Sequence, residues 1–176
     1  MISLALAESW AVCGDLDATD LMTRFVDWWR NGNYSPTGRC FDIGISTRNA
    51  LATFEQSGVP FAGSRSPGAA GNGSLMRLSP IAIWGVAVGE IKMREVARGQ
   101  SATTHAARAC FDACEAHSVI VRKAITDGSF ELDLESCDRL NLSEPIASIV
   151  GGSWRDKRRD EIASSGFVAH SLEAAL

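Results

Sequence analysis

The sequence predicts a helical fold, and three observations predict it. Apolar residues recur at i, i+3, i+4 spacing through most of the 176-residue chain. The stretches between those runs are rich in Gly, Pro, Asn and Asp, the residues that turns require. No β-hairpin signal, internal repeat or low-complexity tract interrupts the pattern.

The elements follow in order. Residues 1–12 form the first helical segment, with Ile2, Leu4, Ala5, Leu6 and Trp10 as its apolar positions. A second runs from Thr19 to Arg30, with Leu21, Phe25 and Trp28 or Trp29 at helical spacing. Asn31 to Gly38 is a turn-rich loop, because Asn and Gly accept positive φ and Pro36 blocks helix. Thr47 to Gln56 returns to helix, with Ala50, Leu51 and Phe54 on one face. Five glycines and two prolines between Gly58 and Gly73 then predict a long irregular stretch, a length of loop that is usually functional or disordered. Helix resumes over Pro80–Val88 and Lys92–Ala97, and the longest helix is expected from Thr104 to Ile125, ended by Asp127-Gly128. Residues Gly128 to Ser143 are polar and poorly patterned. Ser143-Glu-Pro reads as a helix start with Ser143 as N-cap, Asp156–Glu161 as a solvated charged helix, and Phe167–Leu176 as a closing helix.

Composition bounds the function classes. Hydrophobic residues make up 45% and charged residues 22%, the balance of a globular domain, and 1–176 reads as one domain. A net charge of −4, from 17 Lys and Arg against 21 Asp and Glu, excludes a basic nucleic-acid-binding domain. The longest apolar run, Leu78 to Gly89, falls short of the roughly 18 residues a membrane span needs. Five widely spaced cysteines (Cys13, Cys40, Cys110, Cys114, Cys137) fit cytosolic thiols and a cytoplasmic protein better than a disulfide framework. No basic residue precedes Arg24, so a signal peptide is not expected. The first helix starts without a cap and the last stops in mid-pattern, which reads as a piece of something longer.

Three local patterns carry candidate chemistry, each with a plainer alternative. In Gly38-Arg-Cys-Phe-Asp-Ile-Gly44, Asp42 between two glycines could hold a ligand hydroxyl or accept a proton, or could simply cap the following helix. In Gly68-Ala-Ala-Gly-Asn-Gly-Ser-Leu-Met-Arg77, free backbone N–H groups ahead of an apolar helix suit a phosphate or diphosphate. The plainer reading is a Gly-rich connector with Ser74 as N-cap. It is neither a dinucleotide fingerprint nor a P-loop. His105, after Thr103 and Thr104 at the start of the long helix, would be kept neutral by the helix dipole and able to bond a ligand, or would be merely exposed behind a Thr cap. Cys110, Cys114 and His117 share a helical face, but buried thiols in a core explain them better than zinc. The five tryptophans read as core or rim, and the Ser-His-Asp elbow and HExxH signatures are absent.

Together and in this order, the segments Leu4–Trp10, Gly32–Gly44, Gly71-Asn-Gly-Ser-Leu-Met-Arg-Leu-Ser-Pro80, Thr104-His105 and Gly166–Ala175 resemble the ADP-ribosylglycohydrolase family. The resemblance implies a compact, orthogonal multi-helix all-α domain that cleaves the glycosidic bond of ADP-ribose on a protein or small-molecule acceptor, using two Mg²⁺ ions. It places Asp42 at the scissile ribose as the catalytic residue. It makes Gly38, Gly44, Gly71, Asn72, Gly73, Ser74, Met76, Arg77, His105 and Phe167 substrate-binding, with Phe167 standing where relatives often carry Tyr. The family's Thr-Asp-Asp and Asp-x-Asp-Thr runs, which would hold the metals, have no counterpart in this sequence. The expectations are therefore a hydrolase impaired in this form, a non-catalytic ADP-ribose-binding module, or an inactive helical fragment, in that order.

Overall fold

The computed structural model describes residues 2–130 and 139–176. Met1 and Cys137, which the sequence reading placed in the first helix and among the cytosolic thiols, lie outside the described residues, as does most of the polar stretch before Ser143. The described residues are all-α, as the sequence predicts. The helices are α1 (Ile2–Cys13), α2 (Ala18–Asn31), α3 (Ile45–Ser57), α4 (Gly73–Met76), α5 (Ser79–Val88), α6 (Glu90–Ala102), α7 (Arg108–Asp127), α8 (Ile146–Val150) and α9 (Val168–Ala175), with 3₁₀ turns at Pro67–Ala69 and Arg159–Glu161. Extended pairing among them is limited to two isolated bridges, Ser64 with His105 and Gly71 with Phe167.

The helix α7 is the centre of the fold. It packs against α4, α5, α6, α8 and α9, and it buries residues on nearly every side, including Cys110, Ala113, Cys114, Ala116 and Ser118. Small side chains at these positions let several neighbours approach at once. Buried apolar side chains from α1, α2, α3, α5, α6, α7, α8 and α9 join in one cluster. Where α5 crosses α6, Gly85 admits Met93 so closely that a Cβ would lie 2.1 Å from its Sδ. The α1–α5 contact is an edge-to-face pair of Trp10 and Trp84, with centroids 4.3 Å apart, an arrangement worth about 1 kcal/mol beyond the area it buries. Cys110 and Cys114 are core residues, as expected.

Buried charge ties the centre together in a way apolar periodicity does not reveal. Glu115 of α7 accepts from Arg94 Nε at 2.7 Å and Arg98 Nη1 at 2.6 Å, both on α6. Asp112, wholly buried, accepts from Arg108 Nε at 2.8 Å and from the Ser143 backbone N–H at 2.9 Å.

Several expected boundaries move, each for a local reason. The α2 helix starts earlier because Asp17 caps it, accepting from the Thr19 and Asp20 N–H groups at 2.9 Å. Helix α6 is longer than Lys92–Ala97 because its last turn is polar yet buried, with Gln100 and Ser101 fully enclosed. Helix α7 starts at Arg108 rather than Thr104. The intervening backbone bonds elsewhere, the Ala62 N–H donating to Thr103 O and the Ala106 N–H to Ser64 O. Its end is as predicted, with Gly128 in the left-handed conformation closing it. Ser143 does not cap α8; its hydroxyl donates to Asp112. The expected charged helix over 156–161 is only a 3₁₀ turn at Arg159–Glu161, where the Arg158 N–H donates to Glu161 Oε2 at 2.7 Å.

Candidate functional site

A cleft of about 430 Å³ opens where the start of α1, the residues leading into α3, the Gly71–Gly73 turn and His105 converge. Of the candidates read from the sequence, Asp42, Gly44, Gly71, Asn72, Gly73, Met76 and His105 line it. They lie far apart in sequence, so their convergence is a property of the fold.

Asp42 sits in the turn before α3 with φ of 54°, a left-handed conformation that Asp tolerates better than most residues. Its capping alternative fails. The N-cap of α3 is Gly44, with no side-chain cap bond, and Asp42 itself is exposed. It is the carboxylate that the described residues bring to the cleft lining.

The turn at Gly71–Gly73 also lines the cleft, and several bonds hold it in place. The Asn72 N–H donates to Gly166 O at 2.9 Å and the Val168 N–H to Ala70 O at 3.0 Å. The Asn72 side-chain amide donates to Ser171 Oγ on α9 at 2.7 Å. These bonds commit part of Asn72 to holding the turn in place. The helix behind the turn, α4, is only 4 residues long, and the expected free N–H groups ahead of it are largely taken, since the Gly71 N–H donates to Ala69 O at 2.8 Å. Ser74 lies inside α4 rather than at its cap; its Oγ is bonded to Ser101 Oγ at 2.8 Å.

His105 forms the floor. It does not open α7 as expected but sits in the turn between α6 and α7, 3% exposed. Burial, rather than a helix dipole, keeps its imidazole neutral. It pushes the pKa down to about 3, and the nearby Arg77 charge adds to the effect. Nδ1 is bonded to Thr104 Oγ1 at 2.7 Å.

The structure places the remaining candidates away from the lining. Arg77 is fully enclosed beneath the cleft, its guanidinium donating to Gln100 Oε1 and O at 2.7 and 2.6 Å and to Thr104 Oγ1 at 2.8 Å. It also stacks 4.7 Å from the Phe25 ring. Phe167 borders a neighbouring pocket of about 210 Å³ instead, its ring edge-to-face with His170 at 5.1 Å. Gly38 lies in the preceding turn with φ of 67°. Conversely, the cleft includes Trp28 and Thr47, which helical spacing marked only as a core residue and the start of a helix.

The two Mg²⁺ ions implied by the resemblance do not fit the described side chains. Among them no three His, Cys, Asp or Glu converge as a cation site, and a single carboxylate cannot cage two hard cations. No helix among the described residues is long and apolar enough to cross a membrane.

Comparison with known proteins identifies the family and the fold. The family model for ADP-ribosylglycohydrolase matches residues 2–176. The chain is 35% identical over 181 residues to ADP-ribosylarginine hydrolase Tri1 of Serratia proteamaculans, covering 99% of this chain and 47% of that protein. It is 35% identical over 175 residues to ADP-ribosylarginine hydrolase Tri1 of Pseudomonas putida, with the same coverage of each. A solved structure described as an ADP-ribosylglycohydrolase-related protein complex superposes with a TM-score of 0.75 at 28% identity, over 99% of this chain and 55% of that one. The chain thus spans about half the length of the curated relatives it matches.

Proposed function

The chain belongs to the ADP-ribosylglycohydrolase family, and from that premise we propose that its cleft binds the ADP-ribosyl group of a modified arginine and serves hydrolysis of the glycosidic bond. The observation that carries this reading is that Asp42 and the Gly71–Gly73 turn line one cleft. Asp42 is an exposed carboxylate in a left-handed turn, with no capping duty. Residues held in sparsely populated backbone regions persist where the surrounding structure enforces them, often at functional sites. In this reading Asp42 hydrogen-bonds the scissile ribose or accepts a proton there. Gly71 and Gly73 let the ligand approach the backbone closely, and His105 contributes a neutral imidazole from below. Ser74 and Arg77 support the lining from beneath, through Ser101 and Thr104.

Arginine as the acceptor is supported by the names of both Tri1 relatives. Mg²⁺ would act in the family's reaction through ligands beyond those described. In this reading residues 1–176 belong to one domain, and the substrate is an ADP-ribosylated protein or small molecule. Its test is release of free ADP-ribose from an ADP-ribosylated arginine peptide by the wild-type chain and by Asp42→Asn, alongside calorimetric binding of ADP-ribose to both. Binding that Asp42→Asn weakens supports the reading. A wild-type chain that neither binds ADP-ribose nor releases it refutes it.

A further inference from the structure

We propose that Thr104, itself oriented by the buried Arg77, fixes His105 in the tautomer that carries its proton on Nε2 and presents that N–H to the cleft. Thr104 Oγ1 has two hydrogen-bond partners among the described residues, Arg77 Nη1 at 2.8 Å and His105 Nδ1 at 2.7 Å. A guanidinium only donates, so the Thr104 oxygen accepts from Arg77. A hydroxyl has one hydrogen, and at this wholly enclosed position its remaining acceptor is His105 Nδ1. The opposite arrangement, with Nδ1–H donating to Thr104, would leave the threonine hydrogen buried without an acceptor, a costly state. The neutral ring therefore accepts at Nδ1 and holds its proton on Nε2.

The neighbouring residue shows the same device with its direction forced. Thr103 Oγ1 accepts from Arg77 Nη2 at 3.3 Å and donates to the Gln100 carbonyl at 2.8 Å, an atom that can only accept. Arg77 thus polarises two hydroxyls, each of which passes its hydrogen onward. The backbone of His105 is fixed as well, its N–H donating to Ser101 O at 2.7 Å and its carbonyl accepting from Ser101 Oγ at 2.8 Å.

Nε2 is the ring atom left for a ligand. It has no hydrogen-bond partner among the described residues, yet it is not one of their sealed, unsatisfied polar atoms, which are Trp28 Nε1 and His117 Nδ1. His105 lines the cleft, and its Nε2 lies 3.4 Å from a Cβ built on Gly71. Arg77 and Thr104 are then positioning residues, acting on the ligand through His105. The tautomer stands without any ligand; its use, donation to an acceptor oxygen of ADP-ribose, rests on the function proposed above.

Long-range ¹H–¹⁵N correlation on the uniformly ¹⁵N-labelled chain, free and with ADP-ribose, tests this. The wild type is expected to show a protonated Nε2 and a bare Nδ1. Thr104→Val should lose that preference, giving mixed tautomers, and Thr104→Ser should restore it. A wild-type ring protonated on Nδ1 overturns the proposal even if Thr104→Val does not fold, and so does a folded Thr104→Val that keeps Nε2–H alone. A protonated Nε2 with no ADP-ribose binding leaves the tautomer standing and overturns the ligand reading of the cleft.

Discussion

Gly73 stands directly against His105: a Cβ added to the glycine would lie 2.7 Å from Cε1 of the imidazole and 3.1 Å from Nε2. At Gly71 the same addition meets Nε2 at 3.4 Å, close to ordinary contact. Gly73 therefore makes room for the ring beneath the turn, whose Gly71 and Asn72 N–H groups are already bonded to Ala69 O and Gly166 O.

The two alanine substitutions should differ accordingly. Gly73→Ala forces the ring or the turn aside and is expected to cost about 1–3 kcal/mol, the usual penalty of overpacking, and to weaken ADP-ribose binding. Gly71→Ala should cost less on both counts. Urea unfolding and calorimetry on the pair check this.

Asp42→Asn should separate binding from stability. The side chain is exposed and does not cap α3, and Asn accepts a φ of 54° at least as readily as Asp. The melting temperature should be unchanged. In an active form of the enzyme, turnover should fall by about 100-fold or more, the range for loss of a positioned acid or base.

The buried histidines give stability a pH dependence of defined sign. His105 titrates near 3 in the folded chain, and burial holds His117 below its usual value too. The unfolded chain takes up these protons near the ordinary histidine pKa, about 6.5. Between those values the unfolded state binds more protons, so stability falls as pH falls, by up to about 1.4 kcal/mol per pH unit for each histidine. Below the ordinary carboxylate range, paired acids such as Asp20 and Glu55, whose pKa values their arginine partners lower, add to the loss. Denaturant midpoints at several pH values should slope downward from near 6.5 toward acid, and the slope should be shallower in His105→Asn.

ADP-ribose binding by this chain should not respond to Mg²⁺. The cleft lining brings one carboxylate, Asp42, and the described residues form no cation cage. Titrations in Mg²⁺ and in EDTA are expected to give the same affinity; a tenfold gain with Mg²⁺ would show a cation site that the described side chains do not explain.

Much of this was legible in the sequence because helices with one apolar face announce themselves by spacing. The boundaries of α2, α3 and α5 moved by only a residue or two. What spacing hides is buried polarity. Gln100 and Ser101 interrupt the apolar rhythm of α6, yet both lie inside, so the helix looked shorter than it is. The resemblance makes Arg77 a ligand residue, whereas it lies wholly buried; its partners Gln100, Thr103 and Thr104 lie 23, 26 and 27 residues away, where no local pattern points. The motif with Asp42 and the Gly71–Gly73 turn did mark the cleft. Sequence alone did not show that His105 lies beneath that turn, since the Gly63–Ala102 and Ala106–Ser64 backbone bonds that hold it there are long-range.

The most direct measurement of the central claim is an ADP-ribose titration followed by the backbone amides and the His105 ring in ¹H–¹⁵N spectra. The account predicts saturable shifts concentrated at Asp42, Gly44, Gly71, Gly73 and His105 Nε2, with the α6–α7 ion-pair residues Arg94 and Glu115 unmoved. Shifts confined to the Phe167–His170 pocket, or none at ligand concentrations well above the millimolar range, would contradict it.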